Sequence, residues 1–309
     1  MEVAMQVPST LRAEQFPMQD VEAWDMLTEQ GWEFRVSVAL PASYAASTKR
    51  YPVLYVLDAD VFFATAVEQA RLQGLVGEIS EVILVGIGYP PGTNLQTVGA
   101  RRTYEMSATD AWNPERSVDR DMAEVMKAMG MELKLGGAPH FLDFIVNEVQ
   151  PLVHEQYRTD LDDQAIFGDS TGGNFVGYAL FTRPEAFNKY ILASPGLTYN
   201  DVEIMRLEED YAKNHDDLDA LVYIAASTGE MLAMANANIV STAARLAENL
   251  HQRGYPSLRL KAEIIADKTH YQAAVDLYNR ALALCWPGRP YSATGENAAQ
   301  AAALLDGTK

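Results

Sequence analysis

The sequence predicts an α/β protein with a mostly parallel central sheet and helices on both faces. Two observations carry this. Short continuous apolar runs, such as Val53-Leu54-Tyr55-Val56-Leu57 and Tyr190-Ile191-Leu192-Ala193, have the pattern of strands buried on both faces. Longer helical segments fall between them, and strict alternation of strand and helix builds parallel sheets. In such sheets the ligand site lies at the carboxyl ends of the strands. Polar residues that directly follow the apolar runs are therefore the first candidates for chemistry.

Residues 1–32 have no clear pattern and are expected to be an N-terminal extension. Glu33 to Leu40 alternates as a strand. Tyr51 to Leu57 is a buried strand that ends at Asp58, Val61 to Leu75 a helix, and Glu81 to Ile87 a second buried strand. Residues 89–135 are polar and loop-like and form an insert over the strand ends. Phe141 to Tyr157 is an amphipathic helix, with Pro151 expected to kink it. Ala165 to Phe167 is a strand and Thr171 to Phe181 a helix; Lys189 to Ser194 and Leu221 to Ala226 are further strands. Ala233 to Arg253 is a helix, Ser257 to Ile265 a strand and Tyr271 to Trp286 the last helix. Residues 33–286 thus form a single domain, and residues 287–309 a Gly/Ala/Ser-rich tail expected to be flexible.

Composition narrows the partners. The chain has 309 residues, 42 acidic against 24 basic, and a formal net charge of −18, which disfavours nucleic acid and anionic membrane as ligands. No window approaches the length of a transmembrane helix, and the N-terminus has no secretory pattern, so a cytoplasmic protein is expected. The single cysteine, Cys285, lies in an apolar helical stretch and reads as a small buried hydrophobe. Base rates of symmetry favour a homodimer.

The informative stretch is Gly168-Asp169-Ser170-Thr171-Gly172-Gly173. A trypsin-like loop is excluded because Thr171 separates Ser170 from the glycine pair. A magnesium phosphatase of the haloacid-dehalogenase type would use Asp58 and Asp60 as its Asp-x-Asp pair and Asp169 for metal. Its further acid is missing, because Gly172, Gly173 and Asn174 stand there. The third reading explains most. Gly-x-Ser-x-Gly between a strand and a helix is the nucleophile elbow of an α/β-hydrolase. The helix opening at Thr171 turns its first amides toward the site, where they favour an oxyanion. This fold orders its residues serine, acid, histidine. His270 follows the last strand, and Glu230 follows the strand at 221–226. Asp201 and Asp267 are rival acids.

The chain resembles, from about residue 33 to 286, the esterase family of α/β-hydrolases that includes the enterobactin-type siderophore esterases. The resemblance rests on the order and spacing of Tyr51–Asp58, Val85–Tyr89, Gly136–Phe144, Glu148–Val153, Tyr157–Asp160, the Ser170 elbow, Arg183–Phe187, Ala193–Leu197, Gly229-Glu230 and His270. It implies cofactor-free and metal-free hydrolysis of a small-molecule ester through an acyl-serine. In that scheme Ser170 attacks, His270 carries the proton and Glu230 orients His270. The Thr171 amide and the Ala59-Asp60 segment would form the oxyanion hole. Tyr89, Arg102, Tyr104 and Trp112 of the insert are the expected substrate-binding residues. The magnesium phosphatase using Asp58 and Asp60 stays as one alternative, and a non-catalytic binding protein on the same fold as another, though a binder would have no use for serine, elbow glycines and histidine together.

Overall fold

The computed structural model describes residues 18–28, 31–108, 117–128, 130–131, 134–197, 199–233 and 238–288. They build an eight-stranded sheet in the order β1-β2-β4-β3-β5-β6-β7-β8. Its strands are β1 (Val21–Leu27), β2 (Glu33–Ala39), β3 (Tyr51–Val56), β4 (Ile83–Gly88), β5 (Thr159–Asp169), β6 (Lys189–Ala193), β7 (Leu221–Ser227) and β8 (Arg259–Ile265). β1 pairs with β2 and β2 with β4 in antiparallel fashion, and every pairing from β4 through β3 to β8 is parallel. The continuous apolar runs are the interior strands. β4, β6 and β7 are buried along their whole length, as strands covered on both faces must be. At one edge β8 carries Arg259, Lys261 and Glu263, charges that discourage pairing with another chain.

Ten helices are described: α1 (Ala59–Leu75), α2 (Leu95–Glu105), α3 (Ser117–Ala128), α4 (Ala138–Phe144), α5 (Gln150–Gln156), α6 (Thr171–Thr182), α7 (Tyr199–Asn214), α8 (Glu230–Ala233), α9 (Ile239–Arg253) and α10 (His270–Cys285). α1 and α10 cover one face, burying Phe63, Ala66, Val67, Leu277 and Tyr278 against β3, β5 and β6. α4 to α7 and α9 cover the other with Phe141, Phe175, Ile204 and Leu246. No helix among the described residues is long and apolar enough to cross a membrane.

Several elements differ from the sequence expectation. The last part of the expected extension is not outside the domain: residues 21–27 form the antiparallel edge strand β1, paired in register with β2. The insert is not a loop, since α2 and α3 lie within it. α7 had no clear signature in its polar sequence. The helix at 141–157 begins earlier and is continuous. One π-helical turn, Ile145–Val149, precedes Pro151 and joins α4 to α5, so the missing proline donor is absorbed by a widened turn. The helix expected from residue 233 divides into α8 and α9. Of the expected tail, Pro287 bridges to Ile79 and residues 289–309 lie outside the described region. Cys285 is buried as expected, and burial pushes its thiol up to about 12.

The insert is anchored by a buried cation. The Arg101 guanidinium lies over the rings of Trp32, Phe34 and Tyr89 at 4.9, 4.6 and 4.7 Å. It pairs with Glu105, four residues along α2, at 2.8 Å. Glu105 also accepts the Tyr89 hydroxyl at 2.7 Å. Burial pushes the Glu105 carboxyl up to about 7, against the opposing pull of Arg101 and Tyr89. Removing this carboxylate leaves a buried arginine unpaired. Glu105→Ala is therefore expected to lower stability by about 3 kcal/mol, measured as the free energy of unfolding in urea.

Candidate active site

β5 ends at Asp169, α6 begins at Thr171, and Ser170 stands between them with φ 59° and ψ −118°. A non-glycine residue in this region is strained by about 1–3 kcal/mol and is held there by its surroundings. The Ser170 amide donates to Ala193 O at 3.0 Å, and its carbonyl accepts from Gly196 N at 2.8 Å and Asn174 N at 3.2 Å. The elbow glycines permit close approach: a Cβ on Gly168 would lie 2.2 Å from Gly172 O, and one on Gly173 would lie 2.9 Å from Pro195. At the first motif glycine the turn is so tight that a side chain would collide with backbone, whereas a Cβ on Gly172 would meet the Asp58 carboxylate at 3.3 Å.

His270 is the first residue of α10, and its approach is fixed locally by Gln272, whose side chain accepts from the Thr269 amide. Its Nδ1 lies 2.5 Å from Glu230 Oε1. Glu230 is 1% exposed. Its Oε2 accepts from the Ser227 amide at 2.7 Å and from the Ser194 hydroxyl at 3.0 Å. A buried carboxylate with three donors is satisfied, and it fixes the ring's orientation. Gly229 lets the two loops meet, since a Cβ there would lie 2.3 Å from Lys268 O. His270 Nε2 faces the elbow and is 3.8 Å from Asp169 Oδ2. Burial disfavours the charged ring, but the Glu230 hydrogen bond and the charges of Asp169 and Glu230 prevail and raise its pKa.

The third wall is the start of α1. Asp58 has a left-handed backbone, φ 54°, and Ala59 and Asp60 contribute the first amides of the helix. Such amides lack an acceptor within the helix. This turn packs closely on β4: a Cβ on Gly88 would lie 2.6 Å from Asp60 N. The Asp58 carboxylate is close to the elbow, 3.3 Å from where Gly172 would carry a Cβ. Both its oxygens are held by Arg102 of α2, at 2.6 and 2.8 Å, and Arg102 also donates to Asp169 O at 3.2 Å.

Comparison with known proteins gives the family. The family model described as "Putative esterase" matches residues 28–257. The chain belongs to this esterase family. It is 30% identical to the ferri-bacillibactin esterase BesA of Bacillus subtilis over 235 residues, covering 75% of this chain and 78% of that protein. It is 28% identical to the siderophore triacetylfusarinine C esterase of Aspergillus fumigatus over 215 residues, 67% of each chain. The crystal structure of the BES protein from Bacillus cereus superposes with a TM-score of 0.73 at 25% identity, covering 90% of this chain and 99% of that one. The α/β-hydrolase fold and carboxylic ester hydrolysis follow from this membership. The phosphatase and non-catalytic readings find no support among these relatives, and Asp58, the nucleophile a phosphatase would need, is engaged by Arg102 through both oxygens.

The structure brings Ser170, His270 and Glu230 of this esterase to one edge of the sheet, with the Thr171, Ala59 and Asp60 amides at the same edge. The expected pocket residues fare differently. Tyr89 is 5% exposed and packs on Phe34 inside the core, so it lines no open pocket. Tyr104 stacks on Trp32 with ring centroids 5.3 Å apart and fills the space a Gly137 side chain would take. Arg102 does reach the site, but as a clamp on Asp58. Trp112 lies outside the described residues. Asp201 belongs to α7, and Asp267 turns toward Thr228, its amide donating to Thr228 Oγ1 at 2.9 Å. Sequence reasoning missed Ser194, whose only signal is its place at the end of β6, and gave Asp169 no part in the hydrolase site.

Separating the two crossing loops should misplace His270. Gly229→Ala is expected to lower kcat/KM roughly 10²-fold for p-nitrophenyl butyrate, the cost of a displacement of about 1 Å. The measurement is steady-state turnover alongside thermal unfolding of the variant.

Proposed function

We propose that this esterase is a serine hydrolase acting through an acyl-serine, with Ser170 as nucleophile, His270 as general base and Glu230 as the acid of the triad. The observation that supports this best is the 2.5 Å pairing of His270 with a buried Glu230 while its other nitrogen faces the residue before Ser170. Ser170 Oγ attacks the ester carbonyl and its proton passes to His270 Nε2. The tetrahedral oxyanion is held by the amides of Thr171 and of Ala59 or Asp60, an oxyanion hole built from the starts of α6 and α1. The proton then returns to the leaving alcohol, and water repeats the sequence to release the acid. Asp58 and Arg102 hold the α1 turn against the elbow so that the two sources of amides keep their spacing.

The small-molecule substrate is an ester of the siderophore type, which similarity to the two siderophore esterases supports. The cytoplasm suits a chain whose single cysteine is a buried thiol.

The test is intact mass after treatment with a fluorophosphonate. The wild type should gain one adduct and Ser170→Ala none, with turnover of the variant reduced by at least about 10³-fold. Ferri-bacillibactin and triacetylfusarinine C should be cleaved more efficiently than p-nitrophenyl acetate, followed by mass spectrometry of the products. An unlabelled wild type that still turns over ester would overturn the serine mechanism. Catalysis needs the neutral ring, and the pKa of His270 is raised from 6.5. Activity at limiting substrate should therefore rise with pH and reach half its plateau above pH 6.5.

A further inference from the structure

We propose that Asp169 is a positioning residue that acts through His270, its carboxyl group facing the proton-accepting nitrogen and stabilising the ring when it is charged. This rests on the reading of Ser170 as nucleophile and His270 as base. The ring lies between two carboxyl groups: Glu230 Oε1 is 2.5 Å from Nδ1, and Asp169 Oδ2 is 3.8 Å from Nε2. The first contact is a hydrogen bond. The second is too long for one, so Nε2 stays available to the Ser170 hydroxyl, yet it is short enough for a charge interaction between two largely buried side chains.

The surroundings of Asp169 support the assignment. Its Oδ1 is buried with no hydrogen-bond partner, which is uncommon for a carboxyl oxygen. The charged groups around it are Arg102 from α2, Asp58 ahead of α1, Glu230 of α8 and His270 of α10. Arg102 gives Asp58 a bidentate pair and donates to the Asp169 main-chain oxygen. The protonated ring is the cation that Oδ2 faces at 3.8 Å, and the Arg102 charge also acts on the carboxyl group. Burial pushes the Asp169 carboxyl up to about 7; His270 and Arg102 oppose this, and Asp58 and Glu230 add to it. Asp169 and His270 accordingly titrate as a coupled pair.

The consequence for catalysis has two parts. When the Ser170 proton moves to Nε2, the positive charge forms beside Asp169, whose carboxylate stabilises it without exchanging a proton. The same carboxylate favours the protonated ring in the resting enzyme, so the working range moves to higher pH. Asp169 thus trades acid-side activity for a stabilised imidazolium.

The experiment is kcat/KM and kcat against pH for wild type, Asp169→Asn and Glu230→Gln with p-nitrophenyl acetate. Asp169→Asn should move the acid limb about one pH unit lower, because the charge that holds the ring protonated is gone, and lower the kcat plateau about ten-fold with KM within two-fold. A limb and plateau that coincide with the wild type would overturn the proposal. A variant that does not fold leaves a second measurement: NMR titration of the His270 ring in Ser170→Ala should follow a two-step curve, one step belonging to Asp169. A one-step curve sinks the proposal. Fluorophosphonate labelling of the wild type separates the two readings. An unlabelled Ser170 counts against the serine mechanism, while the ring titration still reports on Asp169.

Discussion

Glu230 is the constraint on which the site depends. A carboxylate that is 1% exposed must find donors, and it finds them on three separate parts of the chain. Ser227 N comes from the end of β7, Ser194 Oγ from the end of β6, and His270 Nδ1 from the start of α10. Each of these bonds fixes one loop relative to the others. The crossing of the 227–230 and 266–270 segments is close enough that Gly229 has no room for a side chain. The orientation of His270 is thus a consequence of satisfying one buried charge.

A second set of contacts joins the insert to the elbow. Arg101 and Arg102 are neighbours on α2 but serve different ends. Arg101 is enclosed by Trp32, Phe34, Tyr89 and Glu105, and fixes the helix to β2 and β4. Arg102 points to the sheet edge, where it grips Asp58 and the carbonyl of Asp169. Asn174 of α6 donates to Met106 O just beyond α2, a further tie between insert and elbow. One short helix therefore links the packing of the antiparallel strands to the geometry of the elbow. Three acids, Asp58, Asp169 and Glu230, converge on this edge. Arg102 and the protonated form of His270 offset their charge.

The side chains of the insert and the edge elements take their places from partners distant in sequence. Tyr89 is expected in the pocket but is buried in the core, and Tyr104, half-buried, stacks on a distant ring. Tyr89 is claimed by Phe34, and Tyr104 by Trp32 and the missing side chain of Gly137. β1 has a weak alternation, with Glu22 and Asp25 among apolar residues, because it is an edge strand supported by β2 alone. α7 carries acids on both sides, Glu203 and Glu208 buried and Glu209 and Asp210 exposed, and its buried Ile204 and Met205 become legible as part of one face only once α6 and α9 are in place.

The parallel sheet, the elbow and the places of Ser170, Glu230 and His270 directly after strands can be read along the chain alone. These are local or periodic signals: apolar runs that bury on both faces, glycines where a turn leaves no space, and residues placed directly after strands. The matching of Glu230 rather than Asp201 or Asp267 with His270 was decided by tertiary structure. So were the capture of Arg102 by Asp58 and the placing of Asp169 beside Nε2. These contacts join residues 40 to about 100 positions apart. No local pattern encodes such distances, because they are fixed only when the strands stand side by side and their carboxyl ends share one edge.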